Sequence, residues 1–204
     1  MNPDTDRLPR MSGALREEVR ITAAAFAALI VLGYALSILR PESTEALLAY
    51  VTGSFQAAGA DPLSGGEMMV MLLINNLFTA VTTMLSGIVP FLRLPAFTVG
   101  INAVLLGAFA ARYQTSGIGI AAFLAGTLPH GIPELTALVI ACAAGLHLCR
   151  TVTDRLRGRE GTVSIGEAWR DCSRAYVRYI FPLLAVAAAV EAFITPRLFA
   201  SVIG

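Results

Sequence analysis

The sequence predicts an all-α fold: a polytopic membrane helical bundle of about five transmembrane crossings, one of them a broken helix. Three observations point there. The 204 residues are 56% hydrophobic and only 14% charged, where a soluble domain carries about 25% charged residues. Mean hydropathy is +0.70. Apolar runs recur at the length of about 20 residues that a helix needs to cross a hydrocarbon core of about 30 Å.

The first run, Ile21 to Ile38, is closed by Arg40 and Pro41, and the second, Met68 to Val89, by Pro90. The third, Leu94 to Ala111, ends at Arg112. The fourth region, Gly117 to Cys149, would be about 50 Å long as one straight helix, and Leu128-Pro129-His130-Gly131-Ile132-Pro133-Glu134 interrupts it. Two prolines and a glycine remove backbone donors and favour non-helical dihedrals. This predicts a half-helix Ile118 to Leu128, a break at Pro129-Pro133, and a second helix from Pro133, which suits a first helical turn. The fifth span runs from about Tyr179 to Thr195 and is closed by Pro196 and Arg197.

The organisation that follows is a cytoplasmic N-terminal tail over residues 1-20 and a single transmembrane domain over 21-204. Its spans are about 21-38, 68-89, 94-111, 117-149 (broken) and 179-195, with an external segment 39-67 and a cytoplasmic connector 150-178. Orientation comes from arginine. Arg7, Arg10, Arg16 and Arg20 lie before the first span, and Arg150, Arg155, Arg157, Arg159, Arg170, Arg174 and Arg178 lie in the connector. The loops after spans one and three carry one each, Arg40 and Arg112. The positive-inside rule then places the N-terminus in the cytoplasm of a multi-pass protein of the cell membrane. The N-terminal stretch is too long and too acidic for a signal peptide and reads as leading into a retained anchor.

Two shorter elements are predicted outside the spans. In the connector, Ser164 followed by Glu167 has the spacing of a capping box and marks a short interfacial helix, with Trp169 and Tyr176 at headgroup level. In the external segment, Ala46 to Phe55 is too short to cross and reads as a partly amphipathic helix.

Several function classes fall away. A net charge of +1, with all the cations supplied by arginine, gives no clustered basic face for nucleic acid. Cys142, Cys149 and Cys172 show no metal-ligand or CxxC spacing and read as packed thiols. No nucleophile arrangement, P-loop or dinucleotide fingerprint is present, so the chain leans away from being an enzyme. The lipid bilayer is the certain partner.

The residues that invite chemistry are polar side chains inside the spans, because a charge at the bilayer centre costs roughly 2.5 to 3.5 kcal/mol on insertion scales. Asn75, Asn76 and Thr79 in span two, Asn102 in span three, His130 and Glu134 at the break, and Glu191 in span five are placed by topology in one half of the bundle. Asn75, Thr79, Thr82 and Ser86 form a stripe expected to face the bundle interior. For the asparagines and threonines, interhelical hydrogen bonding and lining of a substrate path both remain open. For His130, Glu134 and Glu191 the alternatives are a buried polar network and a functional site. One nitrogen and two carboxylates suit a divalent transition metal such as zinc, with Asn75 or water completing the shell, although the HExxH signature is absent. The same groups suit proton transfer, and a broken helix that points a half-helix N-terminus into the membrane suits a transporter or channel. His147, near the inner end of region four, reads as a packed or interfacial histidine. Small residues such as Ala141, Gly145 and the Ala185 to Ala189 run permit close helix contacts, within the bundle or between subunits of a homo-oligomer.

Ile74-Asn75-Asn76, Gly100-Ile101-Asn102 with Gly107, Leu128-Pro129-His130-Gly131-Ile132-Pro133-Glu134-Leu135 with Ala144-Gly145-Leu146, and Val190-Glu191-Ala192-Phe193-Ile194-Thr195-Pro196 together give the chain a likeness to a known family. From about Asn75 to Pro196 it resembles the stage II sporulation protein M family of integral membrane proteins, and the PHG-x-x-E string is the most specific part. In sporulating bacteria that resemblance implies a role in engulfment, in which the membrane member organises partners that degrade septal peptidoglycan without being a hydrolase itself. Relatives outside spore formers make fold and membrane placement the firmer implications. The function expected from the resemblance is a non-enzymatic membrane scaffold for envelope-remodelling or other membrane partners. Pro133 departs from the bulky apolar residue expected at its position and sharpens the expected break before Glu134.

Overall fold

Ser12 starts the first helix well before the apolar run begins. Its Oγ accepts the Leu15 backbone N–H at 3.3 Å, satisfying one of the donors a helix N-terminus leaves unpaired. Helix α1 therefore runs Gly13–Leu39, and Arg16, Glu17, Glu18 and Arg20 belong to it and not to a tail. In the computed structural model the remaining elements are α2 Gly65–Leu85, a 3-10 turn Ser86–Ile88, and α3 Pro95–Thr115. Helix α4, Ile120–Leu156, and α5, Ile165–Ala175, come next. A π-helical turn Tyr176–Ile180, α6 Phe181–Phe193 and α7 Thr195–Ile203 close the chain. The structure describes residues 11–42, 44–46, 48, 65–159 and 163–203. The helix expected over Ala46 to Phe55 falls almost wholly outside them.

Among the described residues five helical stretches are long and apolar enough to cross a membrane: Gly13–Leu39, Gly65–Ile88, Pro95–Thr115, Ile120–Leu156 and Ile165–Phe193. The chain is a multi-pass membrane protein. Helix α4 is its hub and packs against each of the other six helices given above. Each residue from Ala137 to Gly145 is buried, most of them small, which lets neighbouring backbones come close where lipid offers no hydrophobic drive. Cys142, Cys149 and Cys172 are free and buried, and the Cys172 thiol donates to the Ala144 carbonyl at 3.2 Å. Helices α1 and α3 form a second close pair, held at one end by the Tyr34 hydroxyl donating to Gln114 Oε1.

The non-helical break expected at Pro129-Pro133 is corrected. Helical backbone runs through both prolines in α4, and Ile120 to Leu156 forms one 37-residue element, about 55 Å long. Prolines four residues apart remove ladder donors on one face only, opposite the Ala125 and Pro129 carbonyls, and the bonds of the other faces carry the helix on. Within the membrane no water competes for those remaining bonds.

A helix in joined pieces does occur, and its clearest example is the last span. The capping box is formed, with the Ser164 N–H donating to Glu167 Oε2 at 2.8 Å and the Glu167 N–H donating to Ser164 Oγ at 3.2 Å. It starts α5, which is not a separate interfacial helix: it continues through the π turn into α6. A turn at Ile194 then joins α7. Ser164→Ala is expected to speed hydrogen exchange of the first-turn amides of α5 about fivefold, the size of a lost N-cap, as read by exchange mass spectrometry. Exchange unchanged there would show that tertiary packing alone holds the helix start.

The polar stripe of α2 is also corrected. Its buried residues are Ala80, Thr83 and Met84, whereas Asn75 and Thr82 are exposed. Thr82 Oγ1 donates to the Phe78 carbonyl at 2.8 Å and Ser86 Oγ to the Thr83 carbonyl at 2.7 Å. A hydroxyl that bonds its own helix backbone no longer needs the bundle interior. The uncovered face, with Ile74 62% and Phe78 68% exposed, borders an open groove of about 780 Å³.

Candidate metal centre

His130 and Glu134 stand four residues apart on α4, so the helix puts them on one face about 6 Å apart at the Cβ atoms. Counting from Ile120, Glu134 lies about 21 Å along the helix, well inside it. Helix α6 packs along α4 and brings Glu191, in its last turn, to the same place. One ligand atom from each of His130, Glu134 and Glu191 lies within 4.8 Å of the others, and all three side chains are half-buried. Among the described residues this is the one group of three or more ligand-type side chains.

The first residue of α7 completes the arrangement. Thr195, 7% exposed, has its Oγ1 3.1 Å from His130 Nδ1. With Nδ1 donating to that oxygen, the imidazole keeps Nε2 as a free lone pair. Fixing one ring nitrogen by hydrogen bonding is how proteins set the tautomer and direction of a ligating histidine. Thr195 is the participant that sequence reasoning missed, having read it only as the end of a span. The available signal was its spacing of four from Glu191, which repeats the spacing of His130 and Glu134.

The donor set fits a divalent ion. Two carboxylates and a neutral imidazole offset a 2+ charge fully, which is what a poorly hydrated site requires. Zinc bonds of about 2.0–2.2 Å in a tetrahedron put ligand atoms about 3.3 Å apart. The ligand atoms lie within 4.8 Å of one another, so closing such a shell would draw them together by up to about 1.5 Å.

The other candidate residues make local hydrogen bonds. Asn75 and Asn102 are exposed. The Asn75 amide is 3.5 Å from Asn76 Oδ1, and Asn102 Nδ2 donates to the Thr98 carbonyl at 2.7 Å. The Thr79 carbonyl accepts from Thr82 Oγ1 at 3.1 Å. Among the described residues none of the four is hydrogen-bonded to His130, Glu134 or Glu191.

Fold and site together define a polytopic helical membrane protein with a mixed histidine and carboxylate cluster where two spans meet. More specifically, residues 22–196 match the model of the family described as stage II sporulation protein M, and the chain belongs to that family. The matched region takes in His130, Glu134, Glu191 and Thr195. No curated protein and no solved structure matches the chain.

Proposed function

We propose that this membrane protein binds a divalent transition-metal ion, zinc foremost, within the bilayer between α4 and α6, with His130, Glu134 and Glu191 as ligands and water completing the shell. The observation that supports this reading is the meeting of those three donors within 4.8 Å, from two helices that pack against each other. The ion neutralises both carboxylates and clasps the hub helix to the last span. Metal analysis of the chain purified without chelator and dialysed after zinc loading should find near-stoichiometric metal. Less than about one tenth of an ion per folded chain would overturn the reading, since a formed site of this charge binds well below the micromolar range. Zinc uptake into proteoliposomes separates a transported ion from a resident one.

Family membership supports a second reading, a scaffold for envelope-remodelling or other membrane partners. The wide uncovered face of α2 around Ile74 and Phe78 is the surface such partners would cover. The two readings are compatible, because an ion that stiffens the α4 and α6 pair also fixes the shape that partners meet.

A further inference from the structure

Far from the metal cluster, at the end of the bundle where α1 begins and α4 ends, two cavities share a wall. One, of about 220 Å³, is lined by Glu18, His147, Arg155 and neighbouring residues. The other, of about 420 Å³, is lined by Phe91, Arg93, Thr153, Arg157 and others. Arg150, Asp154 and Arg159 line both. Five arginines thus line the two cavities, whose lining residues include two carboxylates, and both carboxylates are engaged. Glu18 pairs with Arg150 at 3.3 Å and Asp154 with Arg159 at 3.6 Å. Arg93, Arg155 and Arg157 have no carboxylate partner among the described residues. Arg157 lies over the Phe91 ring at 5.3 Å, a contact that restrains the guanidinium and leaves its N–H groups for an acceptor. Phe91 itself is fixed by its N–H donating to Thr153 Oγ1 at 3.1 Å.

A second observation is independent of charge. His147 is 4% exposed, lines the smaller cavity, and has a buried Nε2 with no hydrogen-bond partner among the described residues. An unmatched polar atom at that depth is costly unless something supplies its bond. Arginines that served only as orientation signals in a loop would need neither a shared cavity nor such a histidine.

We propose that this cavity binds an anionic phosphate group, that of an acidic phospholipid headgroup or a free phosphate. Phosphate oxygens match the surplus of forked donors, and a basic pocket between helix ends at the face that the arginine distribution assigns to the cytoplasm is where acidic headgroups are met.

The test uses the full chain in mild detergent, with binding read by native mass spectrometry. The probes are phosphatidylglycerol, phosphatidylcholine with the same acyl chains, and inorganic phosphate. Phosphatidylglycerol should be retained at least about tenfold over phosphatidylcholine, and Arg93→Gln with Arg157→Gln should remove that preference. Arg170→Gln with Arg178→Gln, outside the cavity, should leave it. Competition by millimolar inorganic phosphate would assign a free phosphate as well, and its absence a headgroup alone; both support a phosphate site. Equal retention of the two lipids without phosphate binding overturns the proposal, as does a preference that survives loss of Arg93 and Arg157 or disappears equally with the control pair. Should the Arg93 and Arg157 variant misfold, the wild-type melting temperature decides. A rise with phosphatidylglycerol or phosphate and not with phosphatidylcholine supports the site, and no rise overturns it.

Discussion

Gly87→Ala is expected to leave little or no folded protein. A Cβ at Gly87 would sit 2.0 Å from the Gly145 carbonyl oxygen and 2.6 Å from its carbon. The obstruction is backbone of the hub helix, which no rotamer change can clear. Gly145 in turn lies 3.0 Å and 3.1 Å, measured from a Cβ built on it, from the Thr83 and Met84 carbonyls, so α4 cannot retreat without separating from α2. Overpacking a flexible core costs typically about 1–3 kcal/mol, and here the cost should exceed about 3 kcal/mol. Gly107→Ala should behave alike, since its Cβ would meet the Ile30 carbonyl oxygen at 2.2 Å and part α1 from α3. Gly166→Ala provides the contrast. Nothing lies within 4 Å of a Cβ there, and in a helix the change should stabilise by about 0.5–1 kcal/mol. Thermal melting of detergent-solubilised protein, followed by size exclusion, reads all three. A Gly87→Ala protein that melts within a few degrees of wild type would show that the α2 and α4 approach is not as close as described.

The five spans were legible because apolar length is a direct consequence of bilayer thickness, and runs closed by Arg40, Pro90 and Arg112 leave little freedom. The capping box at Ser164 was legible because two side chains and two backbone donors satisfy each other locally. What failed required knowledge of neighbours or of competing bonds. The prolines at 129 and 133 look like a break when each is weighed alone, yet their spacing confines the damage to one face of α4. Asn75 and Thr82 look like interior residues when lipid is the only alternative weighed, yet Thr82 satisfies itself on the Phe78 carbonyl. Ser12 was hidden because the apolar run begins well after the helix does. The candidate cluster was nominated by residue type, but the hydrogen bond between His130 and Thr195 depends on α7 folding back along α4, where Phe199 packs over Gly126. The spacing of Thr195 from Glu191 hints at a shared face, but the meeting with His130 is set by how the two segments pack.

Glu191→Gln is expected to act in opposite directions on the metal-free and the metal-loaded protein. Two carboxylates whose oxygens approach within 4.8 Å repel by roughly 3 kcal/mol if both are charged, at an effective dielectric of about 20. Removing one charge relieves the stripped protein, so its melting temperature should hold or rise. The same change deletes a ligand and leaves a charge of one against an ion of two, so zinc affinity should fall by at least about a hundredfold and the melting gain from added zinc should vanish. Glu134→Gln should repeat both signs. Thr195→Val leaves all three ligands but frees the imidazole, and should weaken binding by about 10–100-fold, with Thr195→Ser restoring it. Because zinc displaces protons from these ligands, the melting gain should be present at neutral pH and shrink as pH falls and the carboxylates and imidazole take up protons. A cluster serving only as a hydrogen-bonded network gives a different pattern: Glu191→Gln then lowers the melting temperature of the stripped protein, and zinc shifts neither wild type nor variant.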